Sequence, residues 1–207
     1  MSAGAQKASR EALVRRGVTL EGFTLSWMTV EAGVAVAAGI AAGSVALVAF
    51  GIDSVIEFVA ALVVLQAFRA EQAGRARRGR EQRALHVIGV TFFLLAAYVV
   101  ADAGYTLISE SKPQSSAAGI AVTAAALVVM PVLGAAKRRT GNALGSPMLL
   151  ADSAESLFCA YLSATVLTGL LLNAAFGWWW ADPLAALAVV PLVIKEGLEA
   201  LDAEPDE

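Results

Sequence analysis

Cysteine and histidine are almost missing from this chain, with one of each in 207 residues. A lone Cys excludes a disulfide scaffold and a Cys-rich zinc module, and a lone His excludes a His-cluster metal site. Charge is scarce as well. Asp, Glu, Lys and Arg make up 16% of the residues, where a soluble chain carries about 25%. The net charge of −3 argues against nucleic acid as a partner. Apolar residues take the remaining places, at 58% of the chain and a mean hydropathy of +0.69. That balance excludes an ordinary soluble domain.

Six segments are long and apolar enough to cross a bilayer: Phe23–Ala42, Val45–Phe68, Leu85–Ile108, Ala117–Ala136, Met148–Leu172 and Trp179–Ile194. The first two are separated only by Gly43-Ser44. Helices are the only open-ended elements that satisfy their own backbone in lipid. The expected fold is therefore an all-α polytopic membrane protein with six transmembrane helices. Its layout is a segment over 1–22, a transmembrane domain over 23–198 and a short acidic tail over 199–207. Basic residues cluster before helix 1 (Lys7, Arg10, Arg15, Arg16), between helices 2 and 3 (Arg69, Arg75, Arg77, Arg78, Arg80, Arg83), after helix 4 (Lys137, Arg138, Arg139) and after helix 6 (Lys195). The opposite side has only Lys112. By the positive-inside rule both termini are cytoplasmic, and the chain is expected in the plasma (inner) membrane. Topology thus accounts for the Arg-rich loop without a nucleic-acid partner. The Trp178–Trp180 cluster fits an outer aromatic belt. No short apolar stretch follows the first charges closely, so no cleaved signal peptide is expected. The tail is too short to form a core, so no C-terminal cytosolic domain is expected.

The informative residues are acids inside the apolar runs: Glu31, Asp53, Glu57, Asp102, Asp152, Glu155 and Asp182. No Lys or Arg lies well inside a span, so the acids are expected to lack ion-pair partners. A charge at mid-bilayer costs about 2.5–3.5 kcal/mol on insertion scales. Such acids stay protonated, face water or hold a cation. The bland reading is a set of interhelical hydrogen bonds made by neutral carboxylic acids.

Spacing sharpens the cation reading. Asp53 and Glu57 are at i and i+4 on one helix face. Glu155-Ser156-Leu157-Phe158-Cys159 repeats the layout of Asp53-Ser54-Val55-Ile56-Glu57. At about 1.5 Å of rise per residue, Asp53 falls about 12 Å and Glu57 about 18 Å below the outer edge. On the antiparallel helix 5, Cys159 falls about 14 Å and Glu155 about 20 Å below it. Four donors near the midplane suit a four-coordinate divalent ion. Glu31 comes near the inner pair's depth. Asp102 and Asp182 lie near the outer edge, as a second pair or exit station. Asp182 with Pro183 equally suits a cap for helix 6. Asp152 suits an ion entrance or a cap for helix 5. Cys159 is a ligand or a small core residue, and His86 an interfacial one. Gly39 and Gly43 form a GxxxG pattern for close packing.

These residues resemble the cation diffusion facilitators, six-helix proton-coupled exporters of zinc and related divalent metals. The resemblance spans about Thr29 to Leu198. It rests on Gly43-Ser44-Val45-Ala46-Leu47 leading into Gly51-Ile52-Asp53-Ser54-Val55-Ile56-Glu57, on Ala151-Asp152-Ser153-Ala154-Glu155-Ser156, and on Trp180-Ala181-Asp182-Pro183-Leu184-Ala185-Ala186. It implies a metal site of two residues four apart in helix 2 and two four apart in helix 5. Here these are Asp53, Glu57, Glu155 and Cys159, the set that depth matching selects. The family often has His and Asp at the helix-5 pair, where this chain has Glu155 and Cys159. The chain looks like a minimal branch without the cytosolic domain.

The expected function is a secondary transporter that exports a divalent metal, zinc first, in exchange for protons. The metal is cargo and no cofactor is expected. The bilayer, and in the family a homodimer, complete the partners. The rivals are a non-transporting scaffold or regulatory subunit and a proton or monovalent-cation carrier. No nucleophile–His–acid set supports an enzyme.

Overall fold

The computed structural model describes residues 3–42, 45–74, 78–110 and 116–203. Gly43-Ser44, Arg75, Arg77, Lys112 and the end of the acidic tail lie outside the described residues. Six helices account for almost all the rest: α1 (Ala3–Ala42), α2 (Val45–Gln72), α3 (Arg78–Ser109), α4 (Ala117–Leu144), α5 (Pro147–Phe176) and α6 (Ala181–Asp202). There is no strand among the described residues. The first five expected spans each fall within one helix, the sixth begins two residues before α6, and most helices run past the apolar stretch. α1 has 40 residues, about 60 Å of helix, against a hydrocarbon core of about 30 Å. Its first half is the segment before the apolar run, and there Arg10 pairs with Glu71 of α2 at 3.0 Å.

Local chemistry sets the ends. Ser116 caps α4, its hydroxyl accepting from the Gly119 N–H at 3.4 Å. Gly145 ends α4 in the left-handed region (φ 60°), and its N–H bonds the Asn142 carbonyl at 3.3 Å. Ser146 N–H bonds the Gly141 carbonyl at 3.0 Å, and Pro147 opens α5. This turn folds α4 and α5 into an antiparallel hairpin. Helix 6 differs from expectation. Its N-cap is Trp180, with no side-chain cap bond, so Asp182 is already inside the first turn and does not cap the helix. The side chain of Asp182 lies outside the described residues.

α1 packs on α2 and α4, α4 on α5, α3 on α6, and α2 and α5 meet in the middle. One apolar cluster, with Val64, Phe68, Ile88, Phe92 and Leu149, joins α2, α3 and α5. A second, with Met28, Phe50, Ala126, Met130 and Cys159, joins α1, α2, α4 and α5. The outer surface reverses the rule for soluble bundles. On α2, Ile52, Val55 and Val59 are exposed while Asp53, Ser54 and Glu57 are buried. Val128 and Val132 of α4 are 66% and 68% exposed. Such a skin is stable only against lipid. Among the described residues, four stretches are long and apolar enough to cross a membrane: Ala8–Ala41, Phe50–Gln72, Gly79–Ser109 and Ala117–Leu144. The protein is a multi-pass membrane protein.

The α1–α2 crossing depends on close approach. A Cβ added at Gly39 stands 2.6 Å from the Val48 backbone nitrogen, whereas one added at Gly22 meets nothing within 4 Å. Gly39→Ala is therefore expected to lower stability by about 1–3 kcal/mol, the usual cost of overpacking. Gly22→Ala, with only helix propensity changed, should leave it unchanged or raise it by up to about 1 kcal/mol. Thermal unfolding of the detergent-solubilised variants measures both.

Candidate functional site

On α2 the i, i+4 spacing turns Asp53 and Glu57 inward, with Ser54 beside them. α5 runs antiparallel and offers Asp152, Glu155, Ser156 and Cys159 to the same interior, all buried. The register between them places Ser156 at Glu57, its hydroxyl donating to Oε1 at 2.9 Å. Cys159, three residues on from Ser156 along the same face, is buried with them. α1 adds Glu31, which accepts from the Ser54 hydroxyl at 2.8 Å and from the Cys159 thiol at 3.6 Å. The indole N–H of Trp27, one turn earlier on α1, donates to its other oxygen. Glu31 thus reaches both α2 and α5 from α1.

Glu155 turns toward α3, where the Thr91 hydroxyl donates to Oε1 at 2.5 Å. Asp53 Oδ2, Glu57 Oε2 and Glu155 Oε2 are buried without a hydrogen-bond partner among the described residues. Asp53 and Asp102 line one small cavity of about 40 Å³, together with Tyr98, Thr106, Thr165 and Pro183. Asp102 is half-buried and His86 is exposed. Among the described residues, no three His, Cys, Asp or Glu side chains already stand as a group that could hold a metal ion. The hydroxyls of Ser54, Ser156 and Thr91 share out the carboxylates between them.

The expectation that no buried acid has a cationic partner is overturned. Lys137 is fully buried, with Nζ 2.6 Å from Asp152 Oδ2 and 3.4 Å from Glu21 Oε2. It follows the apolar run directly, and beside Arg138-Arg139 it reads as a loop charge. α4, however, continues as helix to Leu144 and turns Lys137 onto α5. Asp152 is therefore an ion-pair partner well inside α5, not its cap. Glu21, two residues before the first apolar run, escaped notice for the same reason. Thr91 and Trp27 gave no signal beyond a polar atom in an apolar helix. The serines were visible as the repeated residue after Asp53 and Glu155.

The sequence pattern of the cation efflux transmembrane domain matches residues 24–202. The chain belongs to the cation efflux family. It is also similar to the cation-efflux pump FieF of Shewanella oneidensis, at 26% identity over 179 residues. That match takes in 80% of this chain and 60% of the pump, so the chain spans well under two thirds of the relative's length. For the cation efflux family member described here, the acids of α2 and α5 lie inside the matched region.

Removing one partner from a buried ion pair leaves an uncompensated charge. Lys137→Ala is expected to cost about 3–5 kcal/mol of stability. Lys195 makes a contrasting pair on the surface, 3.0 Å from Glu199, and the hydrogen bond from its ammonium to that carboxylate raises its pKa. Lys195→Ala should leave the melting temperature unchanged, because exposed pairs contribute little. Thermal unfolding of the two variants checks the contrast.

Proposed function

We propose that the chain is a secondary transporter that carries a divalent transition-metal cation, zinc first, out of the cytoplasm in exchange for protons. The observation that carries this reading is the set of three buried carboxylates, Asp53, Glu57 and Glu155, each with one oxygen that meets no hydrogen-bond partner among the described residues, on the two facing helices α2 and α5, of which α5 also carries the buried thiol of Cys159. Water-excluded carboxylate oxygens of this kind require a proton or a cation. In this reading Asp53 and Glu57 of α2 and Glu155 and Cys159 of α5 are the metal ligands, with Glu31 beside them. Binding turns Glu155 from Thr91 and Glu57 from Ser156 toward the ion. Ligands bind metal only when deprotonated, so protons arriving from the other side displace the cargo. Sites near the bilayer midplane suit alternating access. All six helices span the plasma (inner) membrane in this reading, with both termini on the cytoplasmic side, as the basic residues at one end of the bundle support.

The hydroxyl bonds of Ser54, Ser156 and Thr91 also favour a second reading, in which neutral carboxylic acids relay protons or monovalent cations. Flux separates the two. Purified protein in liposomes should take up zinc when a proton gradient is imposed, and the uptake should vanish when the gradient is collapsed. Even outer-shell partners of a metal site cost about 10–100-fold in affinity or activity. Asp53→Ala, Glu57→Ala and Glu155→Ala should therefore each lower zinc flux by at least about tenfold, with the protein still folded. Flux near the wild-type rate in the α2 variants refutes the site.

Cys159 bears on which metal is preferred. A thiolate favours zinc and cadmium, whereas oxygen donors alone suit manganese. Cys159→Ala should weaken zinc and cadmium transport far more than manganese transport. An unchanged zinc-to-manganese ratio means that Cys159 only packs.

A further inference from the structure

Lys137 is the one Lys or Arg in the buried set among the described residues. Two glycines of α4 flank it. A Cβ on Gly134 stands 3.0 Å from Leu157 Cγ and 3.2 Å from the Ser153 carbonyl. One on Gly141 stands 3.0 Å from Leu150 Cδ2. Bare backbone on both sides lets α4 press against α5, and the lysine stem is sealed in the seam. Its ammonium lies between two carboxylates on two different helices, Asp152 of α5 at 2.6 Å and Glu21 of α1 at 3.4 Å. Asp152 Oδ1 and Glu21 Oε1 have no hydrogen-bond partner among the described residues.

The position matters as much as the pairing. Asp152 is three residues before Glu155, one turn nearer the end of the bundle that carries Arg138, Arg139 and, at the start of α3, Arg80 and Arg83. The charge of Lys137 also acts on Glu57 and Glu155. A fixed cation therefore stands between that basic end and the acids assigned to the cargo.

We propose that Lys137 is a gate at the basic end of the bundle, a tethered cation that closes the route to Glu57 and Glu155 while it is paired with Asp152. The gate opens when the ammonium leaves Asp152 and stays with Glu21, the partner on α1 that it already holds. A divalent ion at Glu57 and Glu155 repels the ammonium, so cargo biases a two-position element. The inference rests on the transport reading and adds how access to that site is controlled.

Cys159 is the single cysteine of the chain and is buried beside Glu31, Asp53 and Glu57, so it reports access directly. The probe is a membrane-impermeant trimethylammonium methanethiosulfonate, applied to right-side-out and to inverted vesicles. The main variant is Lys137→Gln with Asp152→Asn. It removes both charges of that pair, and Glu21, left without its cation, is then neutralised by a proton. In this double variant, Cys159 labelling from the basic face should rise about tenfold or more, a decade's shift in the open population. Labelling from the opposite face should not change. Lys137→Arg keeps the cation and should keep the wild-type rate. An unchanged rate at the basic face in monodisperse double variant overturns the gate, and so does an equal rise at both faces. Labelling reads access whether or not metal moves. Zinc flux in the wild-type protein with no labelling change in the double variant removes the gate alone. A labelling change without zinc flux in the wild-type protein removes the transport reading alone.

Discussion

A carboxylate carried into the hydrocarbon of a bilayer loses its hydration, and on insertion scales that costs about 2.5–3.5 kcal/mol per charge at the centre. This bundle holds Glu31, Asp53, Glu57, Asp152 and Glu155 in its interior, and the rest of the architecture answers that cost. The apolar residues face outward, where lipid accepts them. The acids face one another across α1, α2 and α5. Short hydroxyls on the same helices, Ser54 and Ser156, and Thr91 across on α3, each give a carboxylate one hydrogen bond. Each leaves the other oxygen to be met by something else: Trp27 meets that of Glu31, and those of Glu57 and Glu155 have no partner among the described residues.

The one buried ammonium is placed away from the centre of the acids. Lys137 sits one helical turn toward the basic end and takes Asp152 and Glu21. Both an oxygen-rich centre and a compensated pair therefore fit within a few turns of helix. They share α5: Asp152, Glu155 and Cys159 fall at i, i+3 and i+7, along one face of one rigid element. A shift or rotation of α5 moves the ion pair together with Glu155 and Cys159. α2 carries the facing pair, and α1, pressed close at Gly39, brings Glu31 against Ser54. A centre built from three helices in contact responds to any change in their relative tilt. That suits alternating access better than a closed cage of ligands would.

Much of this was legible in the residues. Six apolar runs could only be helices, because backbone in lipid must satisfy itself. The i, i+4 acids of α2 had to share a face, and the matching layout in α5 pointed to the helix that meets them. Depth counting set Cys159 level with Asp53 because helical rise per residue is constant. It could not say which side chains Glu31 would meet, because the register between α1 and α2 is set by their crossing. It left Lys137 in a loop, because an apolar run marks the end of the hydrocarbon and not the end of the helix. Hydropathy is blind to a lysine that the next helical turns point inward.

The sequence by itself therefore determined the membrane class, the helices, the inward acids and the family to which they point. These follow from local periodicity and from the cost of polar groups in lipid, both of which act residue by residue. Only the tertiary structure decided which donor each carboxylate meets. Glu155 goes to Thr91, Glu57 to Ser156, Glu31 to Ser54, and Lys137 to Asp152 and Glu21. These partners lie on different helices, and the crossing points and tilts that bring them together are set by packing between glycines and apolar faces far apart in the chain.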